Sequence, residues 1–299
     1  KRTNQNGINL NELEKITKYS ILNNNIKKNK TFLKNDFKKA KIVTVIACRM
    51  KSSRLQKKAT IKIGKLSSIE LCIKNCLTFR NIDSTILATS TLEEDSELKN
   101  HTYDKSVYFY KGSPDDVIER YINAIDSIGG ADIVVRVTGD MQYVSNDILQ
   151  VLLKSHFKNG ADFTKGREAT IGTNLEIYNF SALKKIKKHF KDAYMSEYMT
   201  YYILNNPDYF KINFADLPSR FVRDYRLTLD YLEDLTLFKE IESFFSMSGK
   251  EYSLQELYKF LDSNPDIAKI NKNCEVKYIQ DKLLINKINK ATTIKKVGI

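Results

Sequence analysis

Val134-Val135-Arg136-Val137-Thr138-Gly139-Asp140 reads as an apolar strand that stops at Gly-Asp. An almost unbroken run of β-branched residues is what a strand covered on both faces requires. A second carboxylate closes a similar stretch far downstream, Tyr225-Arg226-Leu227-Thr228-Leu229-Asp230. Two strands that each bring one aspartate to the edge of a sheet can hold a divalent cation between them. Upstream, Ile42-Val43-Thr44-Val45-Ile46-Ala47-Cys48 is a third such strand, opening into the basic loop Arg49-Met50-Lys51-Ser52-Ser53-Arg54-Leu55-Gln56-Lys57-Lys58. Cations beside paired carboxylates point to a phosphate-rich ligand that carries a metal.

Around these stretches the pattern alternates. It predicts a helix over Ser67–Phe79, a strand over Ser84–Thr89, a polar helix over Leu92–Lys99 and a short strand over Val107–Tyr110. A further helix is expected from Pro114, with Asp115 and Asp116 in its first turn, until Gly129-Gly130 stops it. Alternation of this kind implies an α/β fold with a mostly parallel sheet and helices on both faces. Ligands of such sheets bind beyond the carboxyl ends of the strands, where all three stretches fall. The second half is more mixed: a strand at Leu175–Tyr178, helices over Ser181–Phe190 and Ser196–Leu204, and an extended Tyr209–Phe214 after Pro207. A helix over Glu233–Phe244 follows Asp230, and Ser253 with Glu256 is set to cap a last helix, Leu254–Leu261. Three segments result: a basic leader 1–40, a domain 41–268, and a basic extension 269–299 without clear periodicity, read as poorly anchored.

The formal charge of +13 over 299 residues invites a nucleic-acid reading, and its distribution argues against one. Residues 1–41 hold eleven Lys/Arg against three acids and residues 269–299 hold eight against two, whereas residues 42–268 hold thirty against thirty-one. The excess lies in the tails and leaves the body without a basic face. No apolar run approaches the length of about 18 residues that a membrane span needs. The start is polar and basic, without a signal-peptide core, and opens on Lys1, as a fragment or a processed chain would. A cytoplasmic protein is expected. The four cysteines form no C-x-x-C pair, and the three histidines lie in no motif, which disfavours zinc sites and Ser-His or Cys-His nucleophiles.

Transfer of a nucleotidyl group needs a hard divalent cation on the phosphates, fixed positive charge and an in-line path for the attacking hydroxyl. Mg²⁺ takes one or two protein carboxylates and fills its shell with water and phosphate oxygens. Asp140 and Asp230 meet that requirement, and Arg49, Arg54 and Lys58 supply the positive charge. No strong general base stands out.

These motifs, in this order, resemble the spore-coat-polysaccharide type of cytidylyltransferase, a relative of CMP-acylneuraminate and CMP-Kdo synthetases. Ala47–Lys58 is similar to that family's A-R-M-x-S-[ST]-R-L-P-x-K, offset by Cys48. Gly112-Ser113-Pro114-Asp115-Asp116-Val117-Ile118-Glu119-Arg120-Tyr121 matches G-S-x-D-D-V-x-x-R-Y; Val134–Asp140 matches V-V-R-x-T-G-D; Arg226–Leu235 matches R-L-T-x-D-x-x-x-D-L. The likeness runs from Lys41 to Asn271. It implies a Rossmann-like nucleotide-diphospho-sugar transferase fold, CTP and an acidic sugar as substrates, Mg²⁺ as cofactor, and pairing as a homodimer. By the same resemblance Arg49, Arg54 and Lys58 are catalytic, and Asp140 and Asp230 hold the metal. Ala47, Ser52, Ser53, Gly112, Asp115, Asp116, Arg120 and Gly139 lie along the nucleotide, and Glu176 and Glu197 on the sugar side.

The chain departs from the pattern at Lys51, where Gly is usual, at Gln56-Lys57 (Pro-Gly), at Met141-Gln142 (Cys-Pro) and at Ser145 (Asp). Lysine in place of glycine alters how closely a backbone can approach phosphate. Lys1–Ile8 and Ile26–Phe37 resemble the antifreeze-like domain that ends sialic acid synthases, which implies fusion to an upstream synthase. Two other readings fit the residues: a metal-dependent glycosyltransferase of the same fold, and a degenerate, non-catalytic nucleotide-binding module.

Overall fold

A computed structural model of the chain describes residues 39–52, 54–274 and 281–295. The leader and its resemblance to an antifreeze-like domain, and Ser53, lie outside the described residues. In chain order the elements are β1 (Ile42–Ala47), β2 (Lys62–Ile63), β3 (Leu66–Ser67), α1 (Ser68–Cys76), β4 (Ser84–Ser90), β5 (Tyr108–Gly112), α2 (Val117–Asp126), β6 (Ile133–Thr138), α3 (Asn146–Asn159), β7 (Phe163–Gly166), β8 (Glu176–Asn179), α4 (Phe180–His189), α5 (Thr200–Leu204), β9 (Ile212–Ala215), α6 (Leu232–Ser248), α7 (Leu254–Ser263), α8 (Pro265–Ala268) and α9 (Lys282–Thr292). A nine-residue 3-10 helix, Glu93–His101, replaces the α-helix expected there, and the helix expected over Ser196–Leu204 begins as the 3-10 turn Ser196–Tyr198 before α5.

The main sheet has seven strands in the order β5-β4-β1-β6-β8-β7-β9. Its pairings are parallel except where β8 meets β6 and β7, so β8 alone runs against the others. The sheet is therefore mostly parallel, as the alternating pattern implies. In β1, Val43 and Val45 enter one core while Ile42 and Ile46 enter the other, because successive side chains leave opposite faces. Helices α1, α3, α6 and α7 cover the first face; α2, α4 and α5 cover the second.

Four further expectations are corrected. Tyr225–Asp230 is not a strand: it makes a single bridge, Arg226 to Ile171, because its side chains turn back to bond their own segment. The helix after Pro114 starts at Val117, with Asp116 as its N-cap accepting from the Glu119 amide, so Asp115 and Asp116 precede the first turn. The extension is not loose throughout. It contains α9, an amphipathic helix that buries Ile288 and Thr292. Ser253 does cap α7, but Glu256 turns to Lys250 and Lys259 instead of closing a capping box.

Candidate active site

The site sits where β1 and β6 end. The Gly139 amide donates to Ala47 O at 2.9 Å, locking the two strand ends together. A β-carbon at Gly139 would come within 2.7 Å of Cys48 Sγ, so this position admits no side chain without displacing the start of the basic loop. The thiol itself is inert: burial pushes its pKa up to about 12.

Asp230 reaches Asp140 by main-chain bonds. Leu229 N donates to Asp140 O (3.1 Å) and Leu227 N to Ile171 O (2.8 Å). Gly172 lets this happen. With φ at +88°, a β-carbon there would overlap Leu227 O at 2.0 Å. The two carboxylates then share one ammonium, with Lys58 Nζ at 3.3 Å from Asp140 Oδ2 and 3.2 Å from Asp230 Oδ1. Arg54 Nη2 donates to Asp230 Oδ1 at 2.8 Å, and Thr138 Oγ1 to Asp140 Oδ1 at 2.5 Å. Burial opposes the charge on Asp140, and Lys58 with the Thr138 hydroxyl overrides it, leaving its pKa below the usual carboxylate range. Burial likewise opposes the Lys58 charge, and the two aspartates override it and raise its pKa.

Behind Asp230 lies a support that the sequence reading missed. Arg226 Nη2 donates to Asp230 Oδ2 (2.9 Å), and the same guanidinium grips Asp234 through Nε (2.9 Å) and Nη2 (3.2 Å). Asp234 accepts the Asp230 amide (2.8 Å), and Asn271 Nδ2 donates to Asp234 Oδ1 (2.7 Å) and Arg226 O (2.9 Å). The spacing of four between Asp230 and Asp234 is the signal in the sequence for this support.

The floor of the same cleft carries a row of charges set by strand register. Arg136 on β6 pairs with Glu176 on β8, which pairs with Lys165 on β7. Arg136 Nη1 donates to Glu176 Oε2 at 2.9 Å, while Lys165 Nζ stands 4.0 Å from Oε1. Tyr178 and Thr200 hydroxyls also donate to Glu176, at 2.8 Å. All three charges are buried or nearly so, two cations for one anion, and Arg136 Nε has no hydrogen-bond partner among the described residues. Burial lowers the Lys165 pKa against the pull of Glu176; burial tends to raise that of Glu176, which Arg136 and Lys165 bring down below its usual value. A lysine in a four-residue strand carries no local signature, so the sequence gives no sign of Lys165.

Arg54, Asp140, Glu176, Glu197 and Asp230 thus line one cleft of about 320 Å³. Arg49 donates to Pro114 O (3.1 Å) and lies 3.8 Å from Glu197, lining a neighbouring pocket with Asp115 and Asp116. Asp116 is engaged structurally, by its cap and by Lys187 (2.6 Å). Arg120 is buried beneath that loop and donates to Ser113 O (3.2 Å), with Gly112 packed against its side chain. Ser52 Oγ accepts from the Leu55 amide at 3.4 Å, inside the basic loop. Lys57, standing where glycine is usual, keeps a left-handed φ of 51°.

A mostly parallel α/β sheet with opposed aspartates beneath a basic loop is an arrangement that suits an enzyme handling nucleotide phosphates. The chain belongs to the cytidylyltransferase family, whose model matches residues 43–271. It is 31% identical over 238 residues to an uncharacterised protein of Methanocaldococcus jannaschii, covering 79% of this chain and 97% of that one. It is 29% identical over 236 residues to the spore coat polysaccharide biosynthesis protein SpsF of Bacillus subtilis, covering 76% and 96%. The fold matches that of a cytidylyltransferase from Leptospira borgpetersenii with a TM-score of 0.66 at 23% identity, over 77% of this chain and 97% of that one. No helix among the described residues is long and apolar enough to cross a membrane.

Proposed function

We propose that the chain transfers CMP from CTP to an acidic sugar of the acylneuraminate or ulosonic-acid type, releasing pyrophosphate, in surface polysaccharide biosynthesis. The observation that carries the reading is the pairing, in one cleft, of two opposed aspartates with a floor of surplus positive charge. The aspartates suit a cation and the floor suits an acceptor carboxylate.

The donor set fits Mg²⁺: Asp140 and Asp230 offer hard oxygens from adjoining segments, and the Lys58 ammonium between them is a cation they already share. Bound there, the metal would supply Lewis acidity toward the triphosphate. Arg54 and Lys58 neutralise phosphate charge. Arg136 and Lys165 orient the sugar acid, so that its anomeric hydroxyl attacks the α-phosphorus. The new phosphorus–oxygen bond forms as the bond to the β-phosphate breaks; pyrophosphate leaves and the hydroxyl proton is lost to solvent.

The test is pyrophosphate release with CTP, Mg²⁺ and a panel of acidic sugars, run beside Asp140→Ala. Release that requires one sugar and falls by about 1,000-fold in the variant is expected. Silence across the panel with CTP still bound favours the non-catalytic module. Absence of CTP binding sinks the reading, and turnover of a sugar nucleotide without pyrophosphate favours a glycosyltransferase.

A further inference from the structure

Helix α9 lies beyond the residues that the family model matches, yet it is fastened to a wall of the cleft. That wall is the 3-10 turn Ser196–Tyr198 followed by α5, which put Glu197, Tyr198, Thr200 and Tyr201 on the cleft. A five-residue helix is too short to hold its own shape and takes it from its neighbours.

On the far side of α5 the neighbour is α9. Asn206, buried at 3% exposure, donates from Nδ2 to Thr292 O (2.7 Å) and to Tyr202 O (2.8 Å), and its Oδ1 accepts the Ile294 amide (2.8 Å). Asn205 Nδ2 donates to Thr292 Oγ1 (2.7 Å) and Asn289 Oδ1 (3.0 Å). Ile288 is fully buried. At the other end of α9, Asp281 caps the helix by accepting the Leu284 amide. The C-terminal part of α9 therefore packs against the end of α5. From the wall the linkage reaches the floor, because the Thr200 hydroxyl lies within 2.9 Å of both Glu176 oxygens.

We propose that α9 is a strap that positions the cleft wall, through Asn205 and Asn206 to α5 and Thr200, and so sets how the acceptor sugar is held. The part concerning the sugar rests on the function proposed above; the strap itself does not. Ile288, Asn205, Asn206 and Thr292 are positioning residues and do not line the cleft.

The experiment uses the full chain carrying Ile288→Asp, which buries a charge under α9 and releases it, with Ile288→Val as the conservative control. Amide hydrogen exchange in residues 198–206 should quicken by about tenfold while β1 and β6 exchange as before. In pyrophosphate release with N-acetylneuraminate and 2-keto-3-deoxyoctonate as acceptor probes, KM for the acid should rise about tenfold with KM for CTP unchanged. Ile288→Val should restore both. Unchanged exchange in 198–206, or an equal rise in both KM values, overturns the strap. If the unaltered protein turns over neither probe, the exchange result alone decides the strap, and the failure falls on the acceptor assignment.

Discussion

Two charge clusters face each other across one cleft, and they are built to opposite specifications. At the rim, Asp140 and Asp230 share Lys58, with Arg54 and the buried Arg226–Asp234 pair behind, so positive and negative groups balance. On the floor, Arg136 and Lys165 outnumber Glu176. The rim is balanced around one shared ammonium; the floor is short of one anion. The contrast teaches that one cleft can hold a charge-balanced cluster beside one with a surplus cation.

The largest way to break the comparison is Glu176→Gln. Removing the one anion leaves two buried cations uncompensated, which costs about 3–5 kcal/mol in such settings. Chemical denaturation should register that loss, and a stability unchanged from the parent would mean the floor is better solvated than its burial indicates.

The two lysines sharpen the comparison with smaller effects of opposite sign. The Lys58 pKa is raised, so its stabilisation is fully present below the ordinary lysine value of about 10.4 and fades as pH rises through the folded one. The Lys165 pKa is lowered, so the folded state releases that proton first and stability gains with pH across the window between the two values. On the acid side, Asp140 and Glu176 both sit low, giving stability above the ordinary carboxylate range that is lost as pH falls through their folded values. Titration of ¹³C-lysine side chains by NMR, with Lys58→Met and Lys165→Met for assignment, should find the two resonances moving on either side of free lysine. Two resonances displaced to the same side would erase the distinction.

The smallest effect concerns the loop over the rim. Lys57→Gly relieves a left-handed backbone, and after glycine's greater freedom in the unfolded chain is subtracted it should stabilise by about 0.5 kcal/mol. A loss of stability instead would show that the Lys57 side chain contributes more than its backbone costs.

The parallel half of the sheet was legible because its strands are apolar runs between turn residues: β1, β4 and β6 follow from the spacing of Val, Ile and Thr alone. The reversed half was less so. β7 is Phe-Thr-Lys-Gly, whose buried lysine has meaning only opposite Glu176. Helix α3 went unread although Ile148, Leu149, Leu152, Leu153 and Phe157 recur at helical spacing. At the site, Arg54, Lys58, Asp140 and Asp230 converge as their motifs imply, whereas Arg49 and Asp116 find local partners, since a motif fixes residue type and order but not the direction a side chain takes. Tyr225–Asp230 reads as a strand by composition and is none, because Arg226 and Asp234 capture its backbone and carboxylate.

Asn271 gives the rim a place in time as well as in space. Its amide closes the Arg226–Asp234 support from 37 residues beyond Asp234 and 45 beyond Arg226. A chain emerging from a ribosome has β1, β6 and both aspartates in hand long before that clasp exists. The strands can pair early, but Asp230 gains its full backing only when residue 271 has come out. Backing for the carboxylate pair thereby depends on a residue at the far end of the segment 43–271.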